Sequence, residues 1–186
     1  MLKPRYLGLT APIVAFISII ISIILSPGFS FTNNALSDLG VWKNHGIIFN
    51  AGLAISGFMI VIFSADMFRR ARSPWKSVSA STILVGIFLV FVGVFNENFG
   101  KIHFLFSVLF FVSLAFVILL SIFLLIRARQ HLSATIFSLL FLCAAASWLL
   151  PLIDVVSNVA IPETVSALVG CVWLIWLALD SPLSNL

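Results

Sequence analysis

Six apolar stretches alternate with short polar connections along the chain: about Tyr6 to Leu25, Gly46 to Asp66, Val78 to Phe95, Ile102 to Ile126, Leu132 to Leu150 and Ala160 to Leu179. A helix crossing the roughly 30 Å hydrocarbon core of a bilayer needs about 20 predominantly apolar residues, and each stretch comes close to that length. Backbone polar groups in hydrocarbon must be satisfied within their own segment, which makes each stretch an α-helix. The pattern predicts an all-α, polytopic membrane protein, a six-transmembrane-helix antiparallel bundle forming one domain over residues 1–186. The connections are too short to hold a soluble domain. Six being even, both termini share a side.

Within the apolar stretches, small and polar residues recur at helical spacing. The second helix carries Asn50, Ala54, Gly57 and Ser64, the third Thr82, Gly86 and Gly93, and the sixth Glu163, Ser166 and Gly170. Small residues let membrane helices approach backbone to backbone, and polar ones bond across the seam. Each seam rises toward a polar residue at the same bilayer face.

Composition agrees with the pattern. With 62% hydrophobic and 9% charged residues and a mean hydropathy of +1.23, the chain is excluded from water-soluble domains, in which about a quarter of residues are charged. The net charge of +4 raises nucleic acid as a partner. The basic residues are scattered among short loops and form no patch, so no nucleic-acid partner is expected. Their placement is a topology signal instead. Lys3 and Arg5 precede the first helix, Arg69, Arg70, Arg72 and Lys76 fill the second connection, and Arg127 and Arg129 the fourth, against only Lys43 and Lys101 opposite. By the positive-inside rule the protein sits multi-pass in the cell membrane with both termini cytoplasmic and the loops around Ser37, Asn96 and Asp154 external. The basic start reads as the flank of a retained helix, since its apolar stretch is long and no small-residue cleavage motif follows. Cys143 and Cys171 read as small buried apolar residues at depths that let them touch. Tryptophans fall toward helix ends, with Trp173 the buried exception.

Candidate chemistry lies at the external face. Four of the six acidic residues, Asp38, Glu97, Asp154 and Glu163, belong there. Asp66 has Arg69 and Arg70 to pair with along its own helix. With Ser37, Asn50 one turn inside the second helix, and His103 above Ser107 in the fourth, the candidate cluster is Ser37, Asp38, Asn50, Glu97, His103, Asp154 and Glu163. No His-x3-His, His-Glu-x2-His or Cys-x2-Cys spacing is present, so no metal and no cofactor is expected. No Gly-x-Ser-x-Gly turn marks Ser37 as a nucleophile, and no catalytic role is assigned. Asn34, Ser37, Asp38 and Gly40 also suit a turn-and-cap segment lying as a lid over the external mouth. An echo of Arg70-Ala-Arg72 in Arg127-Ala-Arg129, at an offset of 57 that also sets Glu97 on Asp154, is the kind of repeat some transporters show.

Ala35-Leu-Ser-Asp-Leu-Gly40 after the first helix, Ile48-Phe-Asn50-Ala-Gly-Leu with Gly57, Val92-Gly-Val-Phe95 followed by His103-Phe, Phe110-Phe111, and Ala160-Ile-Pro-Glu163 leading to Trp173 together resemble the DUF998 family of small polytopic membrane proteins, best represented in archaea. The resemblance spans nearly the whole chain and implies fold and topology; it brings no activity with it. Asn96-Glu-Asn98 departs from the proline-acid pair that members often show, which bears on any role for Glu97. A more distant similarity is to membrane hydrolases that gather Ser, Asp and His at one bilayer face. Those enzymes need further histidines in a late helix, and the sixth helix here has none.

Three readings stand on the sequence. The first is an external polar pocket that binds a lipid or isoprenoid headgroup or a partner membrane subunit, without chemistry. A second is an intramembrane lipid hydrolase or transferase using the Asp/His/Glu cluster. The third, a small transporter, lacks a continuous polar lining through the bilayer centre.

Overall fold

A computed structural model of the chain describes residues 4–71 and 73–179. Lys3 and Arg72, whose charges entered the sequence reading, lie outside the described residues, as does the sixth acidic residue, Asp180. The architecture is all-helical: α1 (Arg5–Ile24), a 3-10 helix (Leu36–Val41), α2 (Gly46–Arg70), α3 (Trp75–Val94), a short 3-10 turn (Glu97–Phe99), α4 (Lys101–Arg127), α5 (His131–Ser147), the single turn α6 (Leu149–Leu152) and α7 (Ala160–Leu179). Six spans are long and apolar enough to cross a bilayer, α5 and α6 together forming one of them. This is a multi-pass membrane protein.

The helix limits differ from the apolar runs where polar residues extend a helix. Beyond Asp66, α2 continues to Arg70, because Asp66 pairs with Arg69 at 3.6 Å and with Arg70 on the same helix face, and cations at a helix C-terminus favour it. Pro74, which cannot continue a preceding helix but fits the start of the next, sets the start of α3 at Trp75. The fifth run breaks at Ser147, whose hydroxyl donates to Ala144 O at 2.6 Å. Trp148 then leaves the helix and donates through Nε1 to Ser166 Oγ on α7 at 3.0 Å.

Consecutive spans are neighbours, and α7 closes the ring by packing between α5 and α1. The tightest seam joins α2 to α3. A Cβ on Gly57 would stand 2.6 Å from Gly86 O, and one on Gly86 2.8 Å from Gly57 O, so the two backbones touch. Two turns further, Gly93 lies directly on the backbone of Asn50 and Ala54. The α1–α2 seam combines Gly52 against Ser18 with a hydrogen bond from Ser56 Oγ to Ala11 O at 2.8 Å. On the other side of the ring the contacts are between side chains: Trp173 Nε1 donates to Ser121 Oγ at 3.1 Å, and Gly170 leaves room for Leu114.

Two expectations about single residues fail. Cys143 is exposed on the outer face of α5 and Cys171 is half-buried on α7, and neither is paired. Both sit mid-helix, yet the angular position of each on its helix turns the two thiols to different sides. Trp75 is buried along with Trp173, because α3 begins early enough to carry it into the seam.

Candidate functional site

All the connections opposite the basic residues gather at one end of the ring, the acidic end. The longest, between α1 and α2, is shaped by Asp38. Its carboxylate accepts Asn34 Nδ2–H at 2.6 Å and Ala35 N–H at 3.1 Å, closing the first turn of the Leu36–Val41 helix in the manner of an N-terminal cap. Asn34 Oδ1 in turn accepts from Ser30 N–H at 3.0 Å. Asn50 anchors the far end, donating Nδ2–H to Gly40 O at 2.8 Å. That bond satisfies an amide that would be costly to leave unpaired at this depth. The connection before α7 is fastened to the same loop by Ser157 N–H to Thr32 O at 2.8 Å and Ala160 N–H to Asn34 O at 3.0 Å.

Three carboxyl groups from separate connections converge here. Glu163, in the first turn of α7 and 9% exposed, accepts Leu36 N–H on Oε2 at 2.7 Å. It also feels the charges of Glu97 and Asp38. Glu97, in the turn between α3 and α4, has Asp38 within hydrogen-bonding reach. Partial burial, then that hydrogen bond and the negative charge of Asp38, raise Glu97 from the ordinary 4.5 to about 7. Burial and the neighbouring carboxylate both favour the protonated form of Glu97.

His103 is buried beside this group and turned away from it. Its Nδ1 meets Phe95 O at 2.7 Å, and its Nε2 meets Ser107 Oγ at 3.2 Å. A backbone carbonyl only accepts, so Nδ1 carries a proton; in the neutral ring Nε2 then accepts from the Ser107 hydroxyl. The fixed ring and its hydroxyl partner form a serine–histidine pair one helical turn apart, oriented by a carbonyl where hydrolases use a carboxylate.

Beneath the acidic end lies a narrow, partly open cavity of about 100 Å3. Pro12, Ala15 and Ile19 of α1, Phe49, Leu53 and Ile60 of α2, Val85 and Leu89 of α3, Phe110 and Leu114 of α4, and Ala167, Cys171 and Leu174 of α7 make most of its wall; Leu36 and Ser37 roof it. From Phe49 to Ile60, and from Glu163 to Leu174, it follows eleven residues of helix, a depth of about 16 Å at the α-helical rise. Its deep polar groups are already satisfied, since Ser56 donates to Ala11 O and Thr82 Oγ1 to Val78 O at 2.7 Å. Polarity is left only at the top, in Glu163, Ser37 and Ser107.

Of the seven residues singled out from the sequence, Asp38, Glu97 and Glu163 meet as a carboxyl group, Ser37 and Glu163 face the cavity, and Asn50 holds the loop from the side. His103 reaches the cavity only through Ser107. Asp154 stands apart, exposed in the connection before α7 with φ of 57°; the offset that matched it to Glu97 does not place the two in equivalent settings. Among the described residues no three His, Cys, Asp or Glu side chains form a metal-ligating group. The cavity wall itself went unforeseen, because its apolar residues carry no signal that separates them from lipid-facing ones. Ala15, Ala167 and Gly170, small where the wall recedes, were the available hint.

A family model described as "Protein of unknown function (DUF998)" matches residues 9–180. No curated protein and no solved structure matches the chain significantly.

Proposed function

The chain belongs to the DUF998 family, and on that premise we propose that it binds an amphiphile of the lipid or isoprenoid kind, tail in the cavity and headgroup at the acidic end. The carrying observation is the division of the cavity: an apolar compartment whose inner hydroxyls are occupied by backbone carbonyls, under a rim holding Glu163, Ser37 and Ser107. Ligand sites are commonly apolar enclosures with a few convergent polar groups. The depth of about 16 Å is roughly half the hydrocarbon thickness, which suits a molecule taken from one leaflet and gives no support to a transport path. The distribution of Lys and Arg supports placing the acidic end outside and both termini in the cytoplasm.

Native mass spectrometry of the protein released from its membrane tests this reading. Wild type is expected to retain a long-chain amphiphile, and Ala167→Trp, which fills the cavity from α7, to lose it while keeping its melting temperature. Retention of no amphiphile by wild type, or equal retention by Ala167→Trp, refutes it.

One observation favours a second reading. Ser107 bonded to His103 on the cavity rim is a nucleophile–base pair, which supports hydrolysis of an ester-linked amphiphile. Release of fatty acid by wild type and not by Ser107→Ala would establish it; a wild type without esterase activity removes it.

A further inference from the structure

We infer that the headgroup taken at the acidic end donates hydrogen bonds and is not anionic: an amine or hydroxyl head, and not a phosphate. The inference rests on the binding reading above and identifies the chemical class of its ligand. Its basis is the hydrogen-bond sense of each rim group.

Ser107 has one hydroxyl proton. Because Nδ1 of His103 is bound to Phe95 O, the neutral ring presents Nε2 as an acceptor, and the Ser107 proton goes to it. The Ser107 oxygen therefore offers lone pairs to the cavity. Glu163 has one oxygen on Leu36 N–H, and as a carboxylate it only accepts. Leu36 N–H is consumed by that bond. Ser37 alone is free to turn either way.

Charge points the same way. Among the described residues no Lys or Arg lines the cavity. Lys43 borders a separate shallow hollow on the outward side of Asp38, together with Asn34 and Trp42. A phosphate at the rim would face the acceptor oxygens of Glu163 and Ser107, with the Asp38 carboxylate behind them and no cation in the lining to offset its charge. A protonated amine meets acceptors and negative charge at once. A hydroxyl meets the acceptors.

Protein in nanodiscs of a zwitterionic lipid is titrated with hexadecylamine, hexadecanol and hexadecyl phosphate, and binding is read from intrinsic tryptophan fluorescence and confirmed by native mass spectrometry. The amine and the alcohol are expected to bind, the amine roughly tenfold or more tighter than the phosphate. Glu163→Gln, which keeps an acceptor for Leu36 N–H, is expected to narrow the gap between amine and phosphate while leaving the alcohol unchanged. Phosphate binding as tight as amine binding, or an amine preference untouched in Glu163→Gln, overturns the inference while the binding reading stands. Failure of all three to bind refutes the binding reading itself.

Discussion

Leu36 N–H donates to Glu163 Oε2 at 2.7 Å, joining residues 127 positions apart in the chain. The bond ties the roof of the cavity to the last helix of the ring. Leaving a buried backbone N–H without a partner costs about 1–3 kcal/mol, so Glu163→Ala is expected to destabilise the protein by that amount and Glu163→Gln by clearly less. Chemical denaturation in detergent measures both. An alanine variant as stable as wild type would show that the roof is held by other contacts.

Stability should fall as pH rises through the acid range. Glu97 binds its proton more tightly in the folded protein, at about 7, than at its ordinary 4.5. Below about 4.5 both states are protonated and nothing is lost. Between 4.5 and 7 the unfolded chain ionises while the folded one holds its proton, and stability declines until it levels off above 7. Melting temperatures across this window are expected to slope downward in wild type and to flatten in Glu97→Gln. The same slope in that variant would assign the effect to other groups.

Gly57 and Gly86 admit no side chain. Gly57→Val forces a branched group against Gly86 O, which a Cβ already meets at 2.6 Å, and overpacking of this kind costs about 1–3 kcal/mol or more. The expected outcome is a sharp loss of folded protein after extraction. Gly28→Ala, whose Cβ would meet only the Trp42 ring at 3.3 Å, is the control expected to behave as wild type. Equal behaviour of the two would remove the backbone contact from the account of packing.

Removing an idle hydroxyl should cost nothing. Ser64 Oγ is buried with no hydrogen-bond partner among the described residues, and such a group carries a desolvation cost of about 1–3 kcal/mol. Ser64→Ala is expected to raise the melting temperature or leave it unchanged. Ser56→Ala, which loses the bond to Ala11 O, should lower it by contrast.

Orientation is open to direct labelling. With Cys143 and Cys171 replaced by alanine, Asn33→Cys at the acidic end should react with a membrane-impermeant maleimide on intact cells, and Gln130→Cys, in the connection after Arg127 and Arg129, should not. The reverse pattern overturns the cytoplasmic placement of the termini.

Helix number and the α2–α3 seam were legible because hydrocarbon imposes them: length decides a span, and glycine at helical spacing decides where two backbones meet. Ser107 beneath His103 followed from the four-residue spacing alone. The Asp38–Glu97 pair did not, since it depends on how two loops fold over one another, and loop paths in this chain are set by local bonds such as Asn34 to Asp38 that composition does not reveal. Asp154 looked equivalent to Glu97 by charge and offset, but its connection turns outward through a left-handed residue. The orientation of Cys143 was lost for the reason that hid the cavity: in a helix apolar on every side, the sequence does not say which face meets protein.

The two halves of the cavity wall are joined by different means, and this has a mechanical outcome. Backbone pressed on backbone at Gly57 and Gly86 has no rotamers to adjust, so α2 and α3 behave as a stiff plate. Across the chamber, α7 meets α4 through the hydrogen bond from Trp173 to Ser121 and through Leu114 beside Gly170, contacts made by side chains and not by backbone. Any change in girth needed to admit or release a guest is therefore taken up on the α4–α7 side, with the opposite panel serving as its fixed frame.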